Sequence, residues 1–190
     1  MPRSLTWLSL LLVLAALPLA ATHAALAADE QDRQIALADG KIVLKAAPGW
    51  QRKKPQTNII DHEFAIPKAA GDPADGRLTV MGAGGSIEDN IQRWIGQFSQ
   101  PDGSSTKERT TIKKLDVAGQ EVHWGDISGT FKDQRGPFAP AVEREGYRML
   151  SAILVTKGGG NYFIKFYGPQ KTVAENEQAF REMIESLQTK

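Results

Sequence analysis

Apolar and polar residues alternate along several short stretches between residues 41 and 167, and this alternation predicts strands. KIVLKAAPGW, residues 41–50, is typical of a strand that ends in a Pro-Gly turn, whereas QRKKP, residues 51–55, is typical of a solvated basic loop. Residues 58–67 alternate next, and a further strand and two hairpins follow. Most neighbouring strands are therefore joined by tight turns, as in an antiparallel sheet.

Two segments have the spacing of amphipathic helices instead. Ser86 and Asp89 approximate a capping box before the first helix, and Thr172 and Glu175 form a closer capping box before the second. The apolar stripe of the first helix consists of Ile87, Ile91, Trp94, Ile95 and Phe98, and that of the second of Val173, Phe180, Met183, Ile184 and Leu187. The order of strands, helix, strands and helix predicts an α+β fold with a mainly antiparallel sheet.

The alternation changes phase around Gly125. Val122 and Trp124 share one phase, whereas Ile127 and Phe131 share the opposite one. Such a slip at a glycine is typical of a β-bulge, and we predict one there. The stretch YRMLSAILVT that follows is apolar in both phases, which indicates a central strand that is covered on both sides.

The N-terminus has the three parts of a secretory signal peptide. Arg3 precedes the apolar run of residues 5–20, and small-residue cleavage sites follow in ATHA, residues 21–24, and ALA, residues 25–27. An uncleaved membrane anchor is the alternative, but the run is shorter than the ~20 residues of a spanning helix and contains Pro18. We expect export by the Sec route to the periplasm or the medium, without stable membrane insertion after cleavage.

The rest of the chain corresponds to one domain. We assign residues 1–27 to the signal peptide, 28–40 to an N-terminal lead and 41–190 to a single α+β domain. The 23 Lys and Arg residues nearly balance 22 Asp and Glu residues, for a formal net charge of +1, so bulk charge provides no strong attraction for nucleic acid or anionic lipid. The chain has no cysteine, and its fold therefore depends on core packing without disulfides.

The glycines that follow the strand RLTVM invite comparison with a nucleotide-binding loop. The dinucleotide fingerprint requires a small residue at its third position, where this chain has Ile87, and the chain contains no P-loop sequence. We expect no nucleotide and no other cofactor, and we interpret residues 82–85 as a connector.

The chain offers few catalytic or metal-binding groups. His62 shares a strand face with apolar residues and is predicted to be structural, while Asp61 and Glu63 fall on the opposite face, so the three cannot bind one ion. No H-E-x-x-H or G-x-S-x-G motif occurs. Carboxylates that are distant in the sequence, such as Asp126 and Glu145, could come together only in the folded protein. An envelope hydrolase or lyase with such an acidic site is therefore the alternative to a non-enzymatic binding protein.

A long connection separates two predicted strands at residues 132–146. It has no periodicity, and connections of this length are usually functional or disordered. Arg135 and Phe138 stand beside prolines, and arginine and aromatic side chains are typical anchors of protein interfaces. We predict that Arg135 and Phe138 contact a partner, which would be a protein or an envelope component. The alternative is a passive hairpin tip with Phe138 folded onto the sheet.

The two ends of the domain resemble those of PsbP-like proteins. IVLKAAPGW, residues 42–50, is similar to their opening strand, and NYFIKFYGP with FREMIESLQ is similar to their closing strand and helix. The resemblance covers most of residues 35–188. It implies an α/β/α sandwich around an antiparallel sheet, a fold shared with the Ran-release factor, and a protein that binds or assists partners and is not an enzyme. A structural component of the cell envelope is a third possible function, beside a binding protein and an envelope hydrolase or lyase.

Overall fold

The computed structural model describes residues 29–134, 140–156 and 160–190. The chain divides into a unit that ends at Asp32, of which residues 29–32 are described and are helical, and a compact unit from Arg33 to Lys190. The predicted signal peptide, residues 1–27, lies outside the described residues. Within the described part, no helix has the length and apolar character needed to cross a membrane.

Two antiparallel sheets build the second unit. The small sheet consists of β1 (Gln34–Leu37), β2 (Ile42–Lys45) and β11 (Gln188–Thr189), with β2 in the centre. The large sheet has eight strands: β3 (Gln51–Lys53), β4 (His62–Ile66), β5 (Gly76–Ala83), β6 (Phe98–Ser99), β7 (Thr111–Val117), β8 (Gln120–Asp133), β9 (Val142–Thr156) and β10 (Gly160–Pro169). Their order is β3-β4-β5-β10-β9-β8, and both β6 and β7 pair with the outer edge of β8.

Helices cover both faces of the large sheet. They are α1 (Ile87–Ile95), α2 (Thr106–Arg109), α3 (Gln170–Glu175) and α4 (Glu177–Glu185). On one face, the predicted C-terminal stripe is buried in a core with the small sheet. On the other, α1 packs on a second core, in which Trp94 meets Phe163 edge to face at 5.9 Å between ring centroids. The predicted α+β class with a mainly antiparallel sheet is confirmed.

The predicted cap of the first helix is confirmed. The Ser86 hydroxyl accepts a hydrogen bond from the Asp89 N–H at 3.0 Å and caps α1. The turn between β7 and β8 is formed by Ala118 and Gly119, both with positive φ, as a two-residue antiparallel hairpin requires.

The predicted bulge at Gly125 is wrong. The pairing of β8 with β9 runs regularly through Gly125, and the register shifts only between Gly129 and Phe131, where Glu145 and Gly146 of β9 face a single residue of β8. The two apolar phases of β8 belong to different cores on opposite faces of the sheet. A strand that is buried on both faces carries apolar residues in both phases without a β-bulge.

The predicted capping box at Thr172 is also wrong. Helix α3 begins two residues earlier, at Gln170, so Thr172 lies inside the helix. Its hydroxyl accepts a hydrogen bond from the Ala69 N–H at 3.0 Å and donates one to Asp72 Oδ2 at 2.6 Å. Thr172 therefore ties the C-terminal helices to the loop between β4 and β5.

Several boundaries differ from the sequence interpretation. Residues 34–37, assigned to the N-terminal lead, form β1 and bury Ile35 and Leu37 in the first core. QRK of the expected basic loop forms β3. The connection at residues 132–146 is shorter than expected, because β8 continues to Asp133 and β9 begins at Val142, which are paired.

Candidate functional site

An open cleft of ≈ 730 Å³ lies where the small sheet meets one end of the large sheet. This volume is within the range of small-molecule and peptide sites. Its wall includes the β1–β2 turn together with Asp61, Gln120, Thr156, Tyr162, Thr189 and Lys190. We call this surface the end cleft.

The β1–β2 turn has an unusual backbone. Ala38, Asp39 and Gly40 all have positive φ, at 50°, 55° and 79°. Residues with a β-carbon adopt this region at a cost, and such strain is often found at functional sites. Tyr162 of β10 holds the turn, because its hydroxyl accepts a hydrogen bond from the Ala38 N–H at 2.8 Å.

Asp61 is fixed on the opposite side of the end cleft. Its N–H donates to the Val80 carbonyl at 2.9 Å, and its Oδ2 accepts from the Gly82 N–H at 2.9 Å. This pairing extends the contact of β4 with β5 by one residue. Asp61 also belongs to the cleft wall, and within the described ranges its Oδ1 makes no hydrogen bond.

The polar groups of the end cleft are largely uncommitted. Among the described residues, the side chains of Asp39 and Lys41 make no hydrogen bond or ion pair. The Tyr162 hydroxyl accepts a hydrogen bond from Ala38, but no described residue accepts a hydrogen bond from this hydroxyl. The cleft therefore offers a neutral donor, two aspartate carboxylates and two lysines at its wall. This set suits a polar ligand with donors and acceptors of its own, such as a peptide segment.

His62 positions β1 beside the end cleft. Its Nε2 lies 2.9 Å from the Ala36 carbonyl and its Nδ1 lies 2.9 Å from Arg52 Nη1, so the neutral ring donates through Nε2 and accepts through Nδ1. Burial lowers the pKa of His62, and the nearby Arg52 charge acts in the same direction. The predicted structural role of His62 is confirmed.

The sequence interpretation placed a functional site elsewhere. Arg135 and Phe138 lie outside the described residues, and their role stays a prediction. Asp126 does not meet Glu145 but pairs with Arg148, whose Nε and Nη2 bind its two oxygens at 2.9 and 2.7 Å. Arg148 also binds Glu177 at 2.8 Å, and these hydrogen bonds raise the pKa of Arg148. Within the described ranges, no cluster of His, Asp and Glu side chains could hold a metal ion.

The residues of the end cleft were missed because no motif marks them. The triplet Ala38-Asp39-Gly40 is a turn signal that sequence reasoning could have placed between two strands, since Asp and Gly tolerate positive φ. Its contact with Tyr162, 124 positions later in the chain, has no local signal.

Comparison with known proteins gives distant similarities of fold. No protein-family profile and no curated protein matches the chain significantly. Among solved structures, it is similar to PsbP (CyanoP) of Synechocystis sp. PCC 6803, with 8% identity and a TM-score of 0.49 over 83% of this chain and 91% of that one. It is also similar to the Ran-binding protein Mog1p of Saccharomyces cerevisiae, with 10% identity and a TM-score of 0.46 over 82% and 94% of the two chains.

A third similar structure is PA94 of Pseudomonas aeruginosa, described as a protein of unknown function, with 10% identity and a TM-score of 0.44 over 78% and 91% of the chains. The PsbP-like resemblance is thereby confirmed as a distant similarity of fold.

Proposed function

We propose that the protein is an exported, non-enzymatic binding or accessory protein whose partner inserts a polar segment into the end cleft. The observation that supports this most is the strained turn at Ala38–Gly40, which Tyr162 holds beside polar groups that have no partner among the described residues. Maintaining strain next to unused hydrogen-bonding groups is unfavourable for a purely structural turn. A peptide segment from a protein partner offers both signs of charge and both kinds of hydrogen-bonding group, which match the wall of this cleft.

Site-specific crosslinking tests this proposal. A photoreactive amino acid replaces Thr189, an exposed residue of the cleft wall, and in a control protein it replaces Lys107, an exposed residue of α2. In an envelope extract of the native host, the Thr189 protein should form a crosslink to a defined partner that the Lys107 protein does not form. Asp39→Asn together with Lys41→Gln should abolish this crosslink without changing the thermal midpoint. A crosslink that survives both substitutions would contradict the role of the cleft.

Export is tested separately. The N-terminus of the exported protein should begin near Ala25 or Ala28, as the two predicted cleavage sites require. An intact Met1 in the membrane fraction would support the uncleaved anchor instead.

A further inference from the structure

The face of the large sheet that α1 covers carries a row of polar residues. In register across four strands, Glu63 pairs with Thr79, Thr79 with Lys165, and Lys165 with Ser151. Paired residues on neighbouring strands point to the same face. A lysine thus stands on an inner strand, next to the second core and away from the end cleft.

Lys165 has no counter-ion in the described part of the chain. Its ammonium group makes no hydrogen bond and no ion pair there, and its Nζ lies 5.8 Å from the centroid of the Tyr167 ring. Burial, followed by the charges of Arg77 and Arg93, lowers the pKa of Lys165 to about 8. A partly buried cation without a partner is unfavourable in the isolated protein.

The one carboxylate of this row is already used by Arg77. Arg77 Nε and Nη2 bind the two oxygens of Glu63 at 2.8 and 3.0 Å, and Nη1 donates to the Tyr167 hydroxyl at 2.7 Å. Arg77 is a diagonal neighbour of Lys165, because it pairs with Tyr167 two residues further along β10. Glu63 therefore compensates Arg77 and leaves Lys165 uncompensated.

Arg93 brings a third cation to the same place. Arg93 lies on α1, its charge contributes to the lowered pKa of Lys165, and its described partner is the neutral side chain of Asn90, at 3.1 Å. The group of Arg77, Arg93, Lys165 and Glu63 thus carries three positive charges and one negative charge. Among the described residues, two of these positive charges have no counter-charge.

We propose that Lys165, Arg93 and Arg77 form a binding site for a phosphate group. A phosphate monoester carries about −1.5 to −2 charges at neutral pH, which matches the uncompensated charge, whereas one carboxylate would neutralise only half of it. Lysine binds phosphate as a point charge and arginine through its planar fork, and Arg77 and Arg93 both keep unused N–H groups. The phosphate belongs either to a small soluble molecule or to a lipid headgroup, which share this chemistry.

Thermal unfolding with added inorganic phosphate tests the site, at constant ionic strength maintained with potassium chloride. Phosphate should raise the thermal midpoint of the wild type and of Lys113→Met, which removes an exposed lysine of β7. For Lys165→Met the phosphate concentration needed for the same rise should increase about tenfold or more, the usual effect of a lost charged hydrogen bond. Without phosphate, Lys165→Met should be at least as stable as the wild type.

Arg93→Gln provides a second variant, because Arg93 is exposed and its loss should not disturb folding. It should weaken the phosphate effect severalfold. A phosphate effect that is unchanged in Lys165→Met, or in Arg93→Gln if Lys165→Met does not fold, would overturn the proposal. So would acetate acting as strongly as phosphate, or the absence of any effect at millimolar phosphate.

Two further ligands identify the source of the phosphate. Stabilisation by glycerol 3-phosphate that depends on Lys165 supports a soluble phosphorylated ligand. Co-sedimentation with phosphatidylcholine vesicles that contain phosphatidic acid, again lost in Lys165→Met, supports a lipid headgroup.

Discussion

Replacement of Phe180 by alanine tests the packing of the C-terminal helix. Phe180 is fully buried in the first core, and its ring lies 5.1 Å from that of Trp124 and 5.9 Å from that of Phe166, between centroids. Removal of a buried phenyl group usually costs about 3–5 kcal/mol of unfolding free energy, and the cost is larger where neighbours cannot collapse into the cavity.

The two aromatic neighbours of Phe180 favour the upper part of that range. Trp124 is held on β8 in the large sheet, and Phe166 is held on β10, so neither can follow the lost ring. Alanine has a higher helix propensity than phenylalanine, which offsets about 0.5 kcal/mol. We therefore expect a loss of about 4 kcal/mol, or a fall of the thermal midpoint by roughly 8–16 °C for a domain of this size.

Urea unfolding followed by circular dichroism measures this loss. Tryptophan fluorescence is less suitable, because the substitution itself changes the surroundings of Trp124. The midpoint should fall while the slope of the free energy against urea stays constant. Gln178→Ala, an exposed position of the same helix, is the control and should change the free energy by less than about 0.5 kcal/mol. A loss below about 1 kcal/mol for Phe180→Ala would refute the conclusion that this stripe faces a closely packed core.

Three further predictions test other parts of the structure. Gly129→Ala should destabilise the protein by about 1–3 kcal/mol in urea unfolding, because φ is 148° and a β-carbon would lie 2.5 Å from the Ser99 carbonyl oxygen; a neutral effect would contradict this close approach. Since the pKa of His62 is lowered from 6.5 in the folded state, its contribution to stability should be complete above pH 6.5 and lost as the pH falls through the folded pKa. His62→Gln should remove this pH dependence, and an unchanged dependence would exclude His62 as its source. Alanine at both Arg135 and Phe138 should leave the thermal midpoint unchanged and weaken partner binding; lower stability with intact binding would make Phe138 a core residue.

The elements that the sequence predicted correctly are those that local spacing determines. Helix α1 follows from the Ser86 cap and a stripe of period 3.6, and the C-terminal stripe around Phe180 faces the core as predicted. The apolar phases of β9 likewise required coverage on both sides, which the two cores supply.

The errors concern contacts between distant residues. The capping box at Thr172 has the correct spacing, but Ala69 and Asp72, about 100 positions earlier, take its hydrogen bonds. Strand β3 has no apolar alternation, because Arg52 occupies the position at which an alternating strand would carry an apolar residue. The guanidinium of Arg52 lies 4.6 Å from the Phe64 ring centroid. Neither arrangement leaves a signal in the adjacent sequence.

One signal of the proposed phosphate site was present in the sequence and was passed over. In YFIKFY, residues 162–167, Lys165 occupies the same phase as Phe163, which is buried in the second core. A lysine in the buried phase of a central strand is rare unless it is paired. Sequence reasoning could therefore have marked Lys165 as a functional candidate, although not its neighbours Arg77 and Arg93.

The two proposed sites are independent although one strand supplies a residue to each. Tyr162 packs with the first core, and Lys165 pairs across the opposite face of β10. Their α-carbons are roughly 10 Å apart along the strand, a separation at which effects of substitutions are usually additive. Lys165→Met should therefore leave the crosslink of the end cleft intact, and Asp39→Asn with Lys41→Gln should leave the phosphate effect intact. Loss of both functions in either variant would show a shared conformational change and contradict two separate sites.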